Sequence, residues 1–292
     1  MKPVYYASEV ASLLGKNRFK PREESLYRVL STLPRFKETI QLLKESTGAL
    51  SEREIIEIVP EKIKRSVEKA VQSVITSTCD VDIKNTIDTF QRQTVVSLLN
   101  DAVSGSPLTL EFKEAGNRIL SNESTVEKEV KRLGLSPVVS AITGQIQKQR
   151  GTRMEEKAED EHSVKTGVSV TNRNTGTRYE GLHYTIVGYI DGTHGDKVIE
   201  TKNRKHFWGS PPEYDLIQLR CYMKMRGNLD GVLLERFPNE KTRETHLPWD
   251  DSEWSEIDSK LIELSTEIQN MTEDDVWSMV NSVLTKTDKK LK

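Results

Sequence analysis

The hydrophobic pattern of the chain changes near Gly167, and this change constrains the fold more than any other feature. Before it, apolar residues recur every three or four positions, which predicts helices that turn signals break into short segments. After it, β-forming residues dominate, interrupted by a proline-led helix that ends at Gly227. The pattern therefore predicts an α/β core preceded by a large helical region. The predicted strands are 168–170, 184–191, 197–202, 230–237 and 242–247, with a turn-rich connection over 192–196 and helices from Ser252 onward.

Length and composition limit the class of protein. A chain of 292 residues is long enough for about two domains. Its 43 Lys and Arg nearly balance its 45 Asp and Glu, so nucleic acid would have to bind at a local patch. No apolar run is long enough for a signal peptide or a membrane-spanning helix, and Cys79 and Cys221 allow no disulfide framework. We expect an intracellular protein, cytoplasmic or nuclear, that does not contact a membrane.

Three charged residues are predicted to meet where the two joined strands lie side by side. Alternation along a strand places Glu200 and Lys202 on one face and turns Thr201 to the other. The hairpin brings Asp191, at the end of the preceding strand, next to them. Two neighbouring carboxylates suit a hard divalent cation such as Mg²⁺, and a lysine beside them can orient water or stabilise charge that develops on a phosphate. The set favours hydrolysis of phosphodiesters.

A plainer interpretation of these charges is open. Asp followed within about ten residues by Glu-x-Lys is frequent in charged proteins, and strands often pair Glu with Lys on a solvated face. The flanking residues 187–190 and 198–199 weigh against it, because they predict buried strands, where an unpaired carboxylate is costly without a metal.

Two predicted helices carry further polar residues at helical spacing. Glu155 lies on one helix face with two small residues, Gly151 and Ala158, and is a candidate third acidic group at the metal. Gln218 and Tyr222 share a face one turn apart, so the amide could bind the lysine, the attacking water or a phosphate. The alternatives are structural: a solvated charged helix face around Glu155, and a helix–sheet contact at the other pair.

These residues form four motifs that lie in order on predicted helix, strand, strand and helix. The motifs are Gly151-x-x-x-Glu155-x-x-Ala158, Gly188-x-x-Asp191, Glu200-x-Lys202 and Gln218-x-x-x-Tyr222. Together they resemble the PD-(D/E)xK nuclease superfamily, and within it the branch that holds lambda exonuclease, the YqaJ-like viral recombinases and RecB-like nuclease domains. Residues 6–15 are similar to the opening helix of that branch, whereas the family's proline before the first aspartate is Ile190 here.

The resemblance implies a restriction-endonuclease-like fold, a central mixed β-sheet flanked by helices, and a metal-dependent DNA exonuclease serving recombination, replication or repair. If the matching residues have the same roles as in that family, Asp191, Glu200 and the backbone carbonyl of Thr201 would bind Mg²⁺ or Mn²⁺, and Glu155 would support a second ion. Lys202 would position the nucleophile and Gln218 would assist it. Ser8 would lie near the terminal phosphate of a DNA strand, and Tyr222 would also contact DNA.

Basic and aromatic residues continue beyond the strand that carries Lys202. Arg204 and Lys205 suit contact with DNA phosphates, and Phe207 and Trp208 suit stacking on bases. The alternative is a loop whose aromatic side chains pack on the core.

The resemblance also organises the chain and its partners. Residues 1–20 would open the nuclease core, 21–150 would form a helical insertion, 151–250 the core, and 251–292 C-terminal helices packed on it. Expected partners are linear duplex DNA ends, a single-strand annealing protein or recombinase, and a second copy of the chain. Two other functions stay open: a non-hydrolytic DNA-binding or assembly protein on a nuclease scaffold, and an endonuclease of the same fold.

Overall fold

A computed structural model describes residues 2–47, 108–132, 136–204, 206, 207, 209–237 and 241–291. The chain divides into two compact units, Met1–Gly48 with Met154–Lys286 and Ala49–Arg153 with Thr287–Lys292. Within the described residues, no helix combines the length and the apolar character needed to cross a membrane.

The described elements are nine α-helices and eight strands. The helices are α1 (Ala7–Leu13), α2 (Arg22–Ser31), α3 (Lys37–Thr47), α4 (Leu108–Leu120), α5 (Val126–Arg132), α6 (Ser136–Thr166), α7 (Glu213–Met225), α8 (Asp251–Asn270) and α9 (Glu273–Leu291). The strands are β1 (Val4–Tyr6), β2 (Val170–Thr171), β3 (Thr175–Glu180), β4 (Thr185–Ile190), β5 (Gly192–His194), β6 (Lys197–Asn203), β7 (Gly231–Arg236) and β8 (Thr242–Leu247).

All strands belong to the first unit, where they form two mixed sheets. One has the order β1-β4-β3, with β1 parallel and β3 antiparallel to β4. The other has the order β2-β5-β6-β7-β8, and only β6 and β7 are parallel. The predicted α/β class, a mixed sheet with flanking helices, is confirmed.

The two sheets separate at Asp191, a detail that the sequence prediction missed. The β-forming run 184–191 ends one sheet as β4, and the chain at once enters the other sheet as β5, in which Gly192 pairs with Ile199. The expected connection over 192–196 is therefore mostly strand, and the turn is Gly195–Asp196, with Gly195 at the left-handed φ of +63°. We call the gap between β4 and β6 beyond the Gly192–Ile199 pair the fork.

Residues 22–47 belong to the first unit, although the sequence analysis placed them in the helical insertion. Helix α2 buries Leu26, Val29 and Leu30. The Arg22 side chain donates to the backbone oxygen of Leu13 in α1 at 3.1 Å, and Arg35 donates to that of Gln269 in α8 at 2.9 Å. These contacts tie the segment to the core of the first unit.

Helices cover both faces of the strand that carries the predicted catalytic pair. Ala158 of α6 lies in one buried cluster with Ile199 of β6 and Val232 of β7. On the opposite face α7 packs so closely that a Cβ on Gly231 would lie 2.9 Å from the Leu219 side chain. Strand β6 is therefore held between α6 and α7, and its polar residues face one helix or the other.

Candidate active site

Asp191 lies at the base of the fork, next to Gly192, where the ladder of hydrogen bonds between β5 and β6 ends. Its Oδ2 accepts a hydrogen bond from the backbone N–H of Thr201 at 2.6 Å. Beyond the Gly192–Ile199 pair this donor of β6 has no antiparallel ladder partner in β5, so the carboxylate takes that place. The bond fixes the Asp191 carboxylate against the middle of β6.

Glu200 and Lys202 lie on the same face of β6, as strand alternation predicts. The Lys202 ammonium donates to Glu200 Oε1, and the Glu200 side chain is only 1 % exposed. The second oxygen, Glu200 Oε2, is buried and has no hydrogen-bond partner among the described residues. Thr201 turns to the opposite face, toward α6. The predicted convergence of Asp191 with this pair is present.

Burial and mutual charge shift the pKa values of all three groups. Burial raises the pKa of Glu200 to about 8, and Asp191 adds to the shift. Burial also raises the pKa of Asp191. Burial alone would lower the pKa of Lys202, but Glu200 and Asp191 outweigh it and hold that pKa above its usual value. Lys202 therefore stays charged, while the carboxyls bind protons at unusually high pH.

Helix α6 brings two more carboxyls to the fork. Burial, together with the neighbouring charge of Asp191, raises the pKa of Glu155 to about 7. Glu159, one turn on, was not singled out from the sequence, yet it is 2 % exposed. Its Oε1 accepts from the Thr201 hydroxyl at 3.4 Å and its Oε2 lies 3.1 Å from Arg173 Nε. Burial and Asp191 raise its pKa to about 7.

Helix α7 lines the other side with the predicted Gln218 and Tyr222 pair. Gln218 Nε2 donates to the Tyr222 hydroxyl at 3.2 Å, so the two do share a face. Tyr222 is 4 % exposed and its ring lies under Gly188, where a Cβ would come within 2.8 Å of it. Burial, followed by the charge of Glu200, raises the pKa of Tyr222. Only glycine fits between β4 and this ring, which accounts for the glycine of the second motif.

Arg204, predicted to contact DNA phosphates, is part of a buried ion-pair network. It donates to Asp215 at 2.6 Å and to Glu235 at 2.9 Å, and its side chain is 11 % exposed. Arg243 donates to the other oxygen of Glu235 at 2.7 Å. Glu235 pairs with Lys202 in the parallel β6–β7 register, so the network adjoins the site. Both acids were missed from the sequence, where each is an ordinary charge in a polar chain.

The remaining predicted contacts to DNA lie elsewhere on the surface or outside the described residues. Ser8 is exposed on α1. Lys205 lies outside the described residues, as does Trp208. Phe207 is largely exposed, and its ring lies 4.9 Å from that of Phe237, so it is partly supported by the core.

A divalent cation fits the oxygen donors of the fork. Among the residues that the structure describes, no three His, Cys, Asp or Glu side chains are arranged to hold a metal by themselves. Mg²⁺, however, commonly binds one or two carboxylates and takes its other ligands from water and substrate phosphate. Asp191 and Glu200 supply such a pair, and the orphaned Glu200 Oε2 is the kind of atom that a cation would satisfy.

Comparisons with known proteins give structural likeness only. No family model and no curated protein matches the chain. It is similar to an alkaline exonuclease (LHK-Exo) from Laribacter hongkongensis, 17% identical over 67% of this chain and 93% of that one, with a TM-score of 0.37. LHK-Exo in complex with dAMP is also 17% identical, over 59% and 91%, with a TM-score of 0.35. A phage related exonuclease from Haemophilus somnus 129PT is 13% identical over 75% and 94%, with a TM-score of 0.30. At these scores the function has to be argued from the site.

Proposed function

We propose that the protein is a divalent-metal-dependent DNA exonuclease that hydrolyses phosphodiester bonds at the fork. The observation that carries the proposal is the meeting of Asp191, Glu200 and Lys202 where the strands diverge, with Glu200 Oε2 buried and without a hydrogen-bond partner among the described residues. The resemblance of the four sequence motifs supports DNA as the substrate and cleavage from an end.

Asp191 and Glu200 are the groups that would hold Mg²⁺ or Mn²⁺, and Glu155 is the nearby candidate for a second ion. A bound cation would polarise the phosphate and lower the pKa of a water molecule at the site. The raised pKa values of these carboxyls fit this role, because a cation bound to the carboxylates would offset the cost of burying their charge and displace their protons into solvent.

The protein's own residues divide the remaining work. Lys202 stays protonated, so it serves as a hydrogen-bond donor that stabilises negative charge on the phosphate rather than as a base. Glu155 would hold the second ion or its water, next to the charge of Asp191 that helps to raise its pKa. Thr201 holds Asp191 in place through its backbone N–H, and Gln218 with Tyr222 closes the α7 side.

The test is digestion of linear 5′-phosphorylated duplex DNA beside closed circular DNA, in Mg²⁺, Mn²⁺ or EDTA. The proteins to compare are the unmodified chain, Lys202→Ala and Lys197→Ala, the last being a lysine at the other end of the same strand. We expect loss of the linear DNA only, in metal only, with a rate at least about 100-fold lower in Lys202→Ala and unchanged in Lys197→Ala.

Other outcomes select the alternatives. Loss of the circular DNA as well would make the protein an endonuclease of the same site. Survival of both DNAs in both metals, together with retained DNA binding, would overturn the proposal in favour of a non-hydrolytic DNA-binding protein.

A further inference from the structure

We propose that Tyr189 is a stacking surface for one nucleobase of an unpaired DNA strand held at the fork. The inference rests on the proposed function, since it concerns the substrate of the same site. It assigns a role to a side chain that none of the motifs includes.

Tyr189 lies in β4, two residues before Asp191. Asp191 follows the last residue of β4, at the bend between the two sheets, and Tyr189 lies on the face of β4 opposite Gly188. If the β5–β6 register continued past Gly192–Ile199, Tyr189 would stand opposite Lys202. The strands diverge there instead, and the Tyr189 side chain is 66% exposed. The exposed ring therefore lies close to the point where β4 and β6 diverge.

One edge of the ring is supported from below by Gly176 of β3. Gly176 is the register partner of Tyr189, and a Cβ built on it would lie 3.3 Å from Tyr189 Cε1. An alanine there would require the ring to shift by a few tenths of an ångström. Glycine thus lets the ring lie against the sheet while most of its surface faces solvent, which is what a stacking platform requires.

The surroundings of the ring fit a single planar ligand rather than a protein partner. The neighbouring outward residues of β3, Arg178 and Glu180, are charged, exposed and paired with each other. A protein–protein contact normally needs a contiguous apolar patch of several hundred Å². Val187 and Tyr6 on the same face are only partly exposed, so the exposed Tyr189 ring offers much less area, but it matches the face of one base.

The same sheet face also carries a positive charge. Tyr6 of β1 pairs with Val187, two residues before Tyr189, so both tyrosines lie on this face, roughly 8 Å apart between Cα atoms. The Arg28 guanidinium lies 4.0 Å from the centre of the Tyr6 ring, and its side chain is 53% exposed.

Arg28 shares one carboxylate with a second cation. Glu9 Oε1 accepts from Lys20 at 2.7 Å and from Arg28 at 2.8 Å, so the trio keeps a net positive charge. A phosphate next to the stacked base would be attracted to it.

The base has to be unpaired. Inside a duplex both faces of a base are covered by its neighbours, so a side chain can stack on it only when the nucleotide is single-stranded, splayed out or at an open end. The inferred substrate is therefore a strand whose nucleotide at the fork has left the helix.

The test measures how strongly the protein distinguishes bases from bare backbone. Binding of two fluorescent single strands of about 12 nucleotides, one of thymidines and one fully abasic, is followed by anisotropy in EDTA, where no cutting is expected. Unmodified protein should bind the thymidine strand roughly 5- to 150-fold more tightly. Tyr189→Ala and Tyr189→Leu should lose most of that ratio, whereas Tyr189→Phe and Tyr189→Trp should keep it.

Trp277→Ala is the matched control, because Trp277 is a 43% exposed aromatic residue on α9. Tyr189→Leu still covers Gly176, so it separates stacking from folding if Tyr189→Ala melts early. The inference is overturned if Tyr189→Leu keeps the full preference for the thymidine strand over the abasic strand, or if Tyr189→Phe loses that preference. It is also overturned if Trp277→Ala loses as much of the preference as the Tyr189 variants do.

The outcome is separable from that of the proposed function. If the protein cuts DNA in Mg²⁺ and the Tyr189 variants keep the affinity ratio between the thymidine and abasic strands, the inference is rejected and the proposed nuclease function is retained. If the affinity ratio depends on Tyr189 but no metal supports cutting, the stacking role is retained and the proposed nuclease function is rejected. Sedimentation of Tyr189→Leu adds one more check: conversion of a dimer to a monomer would assign the ring to a contact between copies and overturn the inference.

Discussion

The buried carboxyl of Glu200 predicts an unusual dependence of stability on pH in the absence of metal. Its pKa is raised from an ordinary 4.5 to about 8 by burial and by Asp191. A carboxyl with a raised folded-state pKa contributes stability that is fully present below its unfolded pKa and is lost as pH rises through the folded value. We therefore expect the metal-free protein to lose stability between about pH 5 and pH 8, where many proteins are near their maximum.

The magnitude follows from the size of the shift. A shift of this size corresponds to about 5 kcal/mol in total, at about 1.4 kcal/mol per pH unit for one proton. Between about pH 5 and pH 7 the folded protein holds that proton and the unfolded chain does not, so the free energy of unfolding should fall by about 3 kcal/mol. Glu200→Gln keeps the shape of the side chain and removes this contribution, while the contributions of Glu155, Glu159 and Asp191, which act in the same direction, remain in both proteins.

The assay is urea unfolding in EDTA, followed by tryptophan fluorescence. All four tryptophans fall in the sequence ranges of the first unit, so the signal reports the unit that contains the site. Burial lowers the pKa of His194, which acts in the opposite direction, but this contribution is common to both proteins and cancels in the difference. Equal slopes in the two proteins, or stability that rises with pH only in the unmodified one, would refute the reasoning.

Two further predictions concern packing around the site. Gly188→Ala should lower the free energy of unfolding by about 1–3 kcal/mol in urea, because its Cβ would lie 2.8 Å from a buried ring, whereas Gly209→Ala, with nothing within 4 Å, should change it little. Arg204→Ala should cost about 3–5 kcal/mol, since it leaves two buried carboxylates short of a partner. Arg178→Ala, which removes a 58% exposed side chain, should stay within about 0.5 kcal/mol, and similar losses for both arginines would contradict the assignment.

Strand alternation explains why the central part of the site could be predicted from the sequence. Once 197–202 is recognised as a strand, Glu200 and Lys202 have to share a face, and a short hairpin has to return Asp191 to their level. The helical spacing of Gln218 and Tyr222 works in the same way. These are short-range consequences of one periodicity, and the structure confirms the placement of each, while their chemical roles stay predictions.

Features that depend on tertiary contacts were not predictable in this way. Strand β3 was missed because Thr175–Glu180 has a single large apolar residue, and its pairing with β4 stabilises it. Glu159 looked like part of a solvated charged run, although its spacing of four from Glu155 already placed it on the same helix face. Glu235 gave no local signal, because only the β6–β7 register sets it beside Lys202.

Calorimetric titration with Mn²⁺ at about pH 7 tests the central claim most directly, because it asks whether the fork binds a cation through its carboxylates. The comparison is between the unmodified protein, Asp191→Asn and Asp160→Asn, the last changing an exposed aspartate on α6. We predict binding with release of about one proton, detected as a dependence of the heat on the buffer, in the unmodified protein and in Asp160→Asn but not in Asp191→Asn. Absence of binding, or equal binding in all three proteins, would contradict the account.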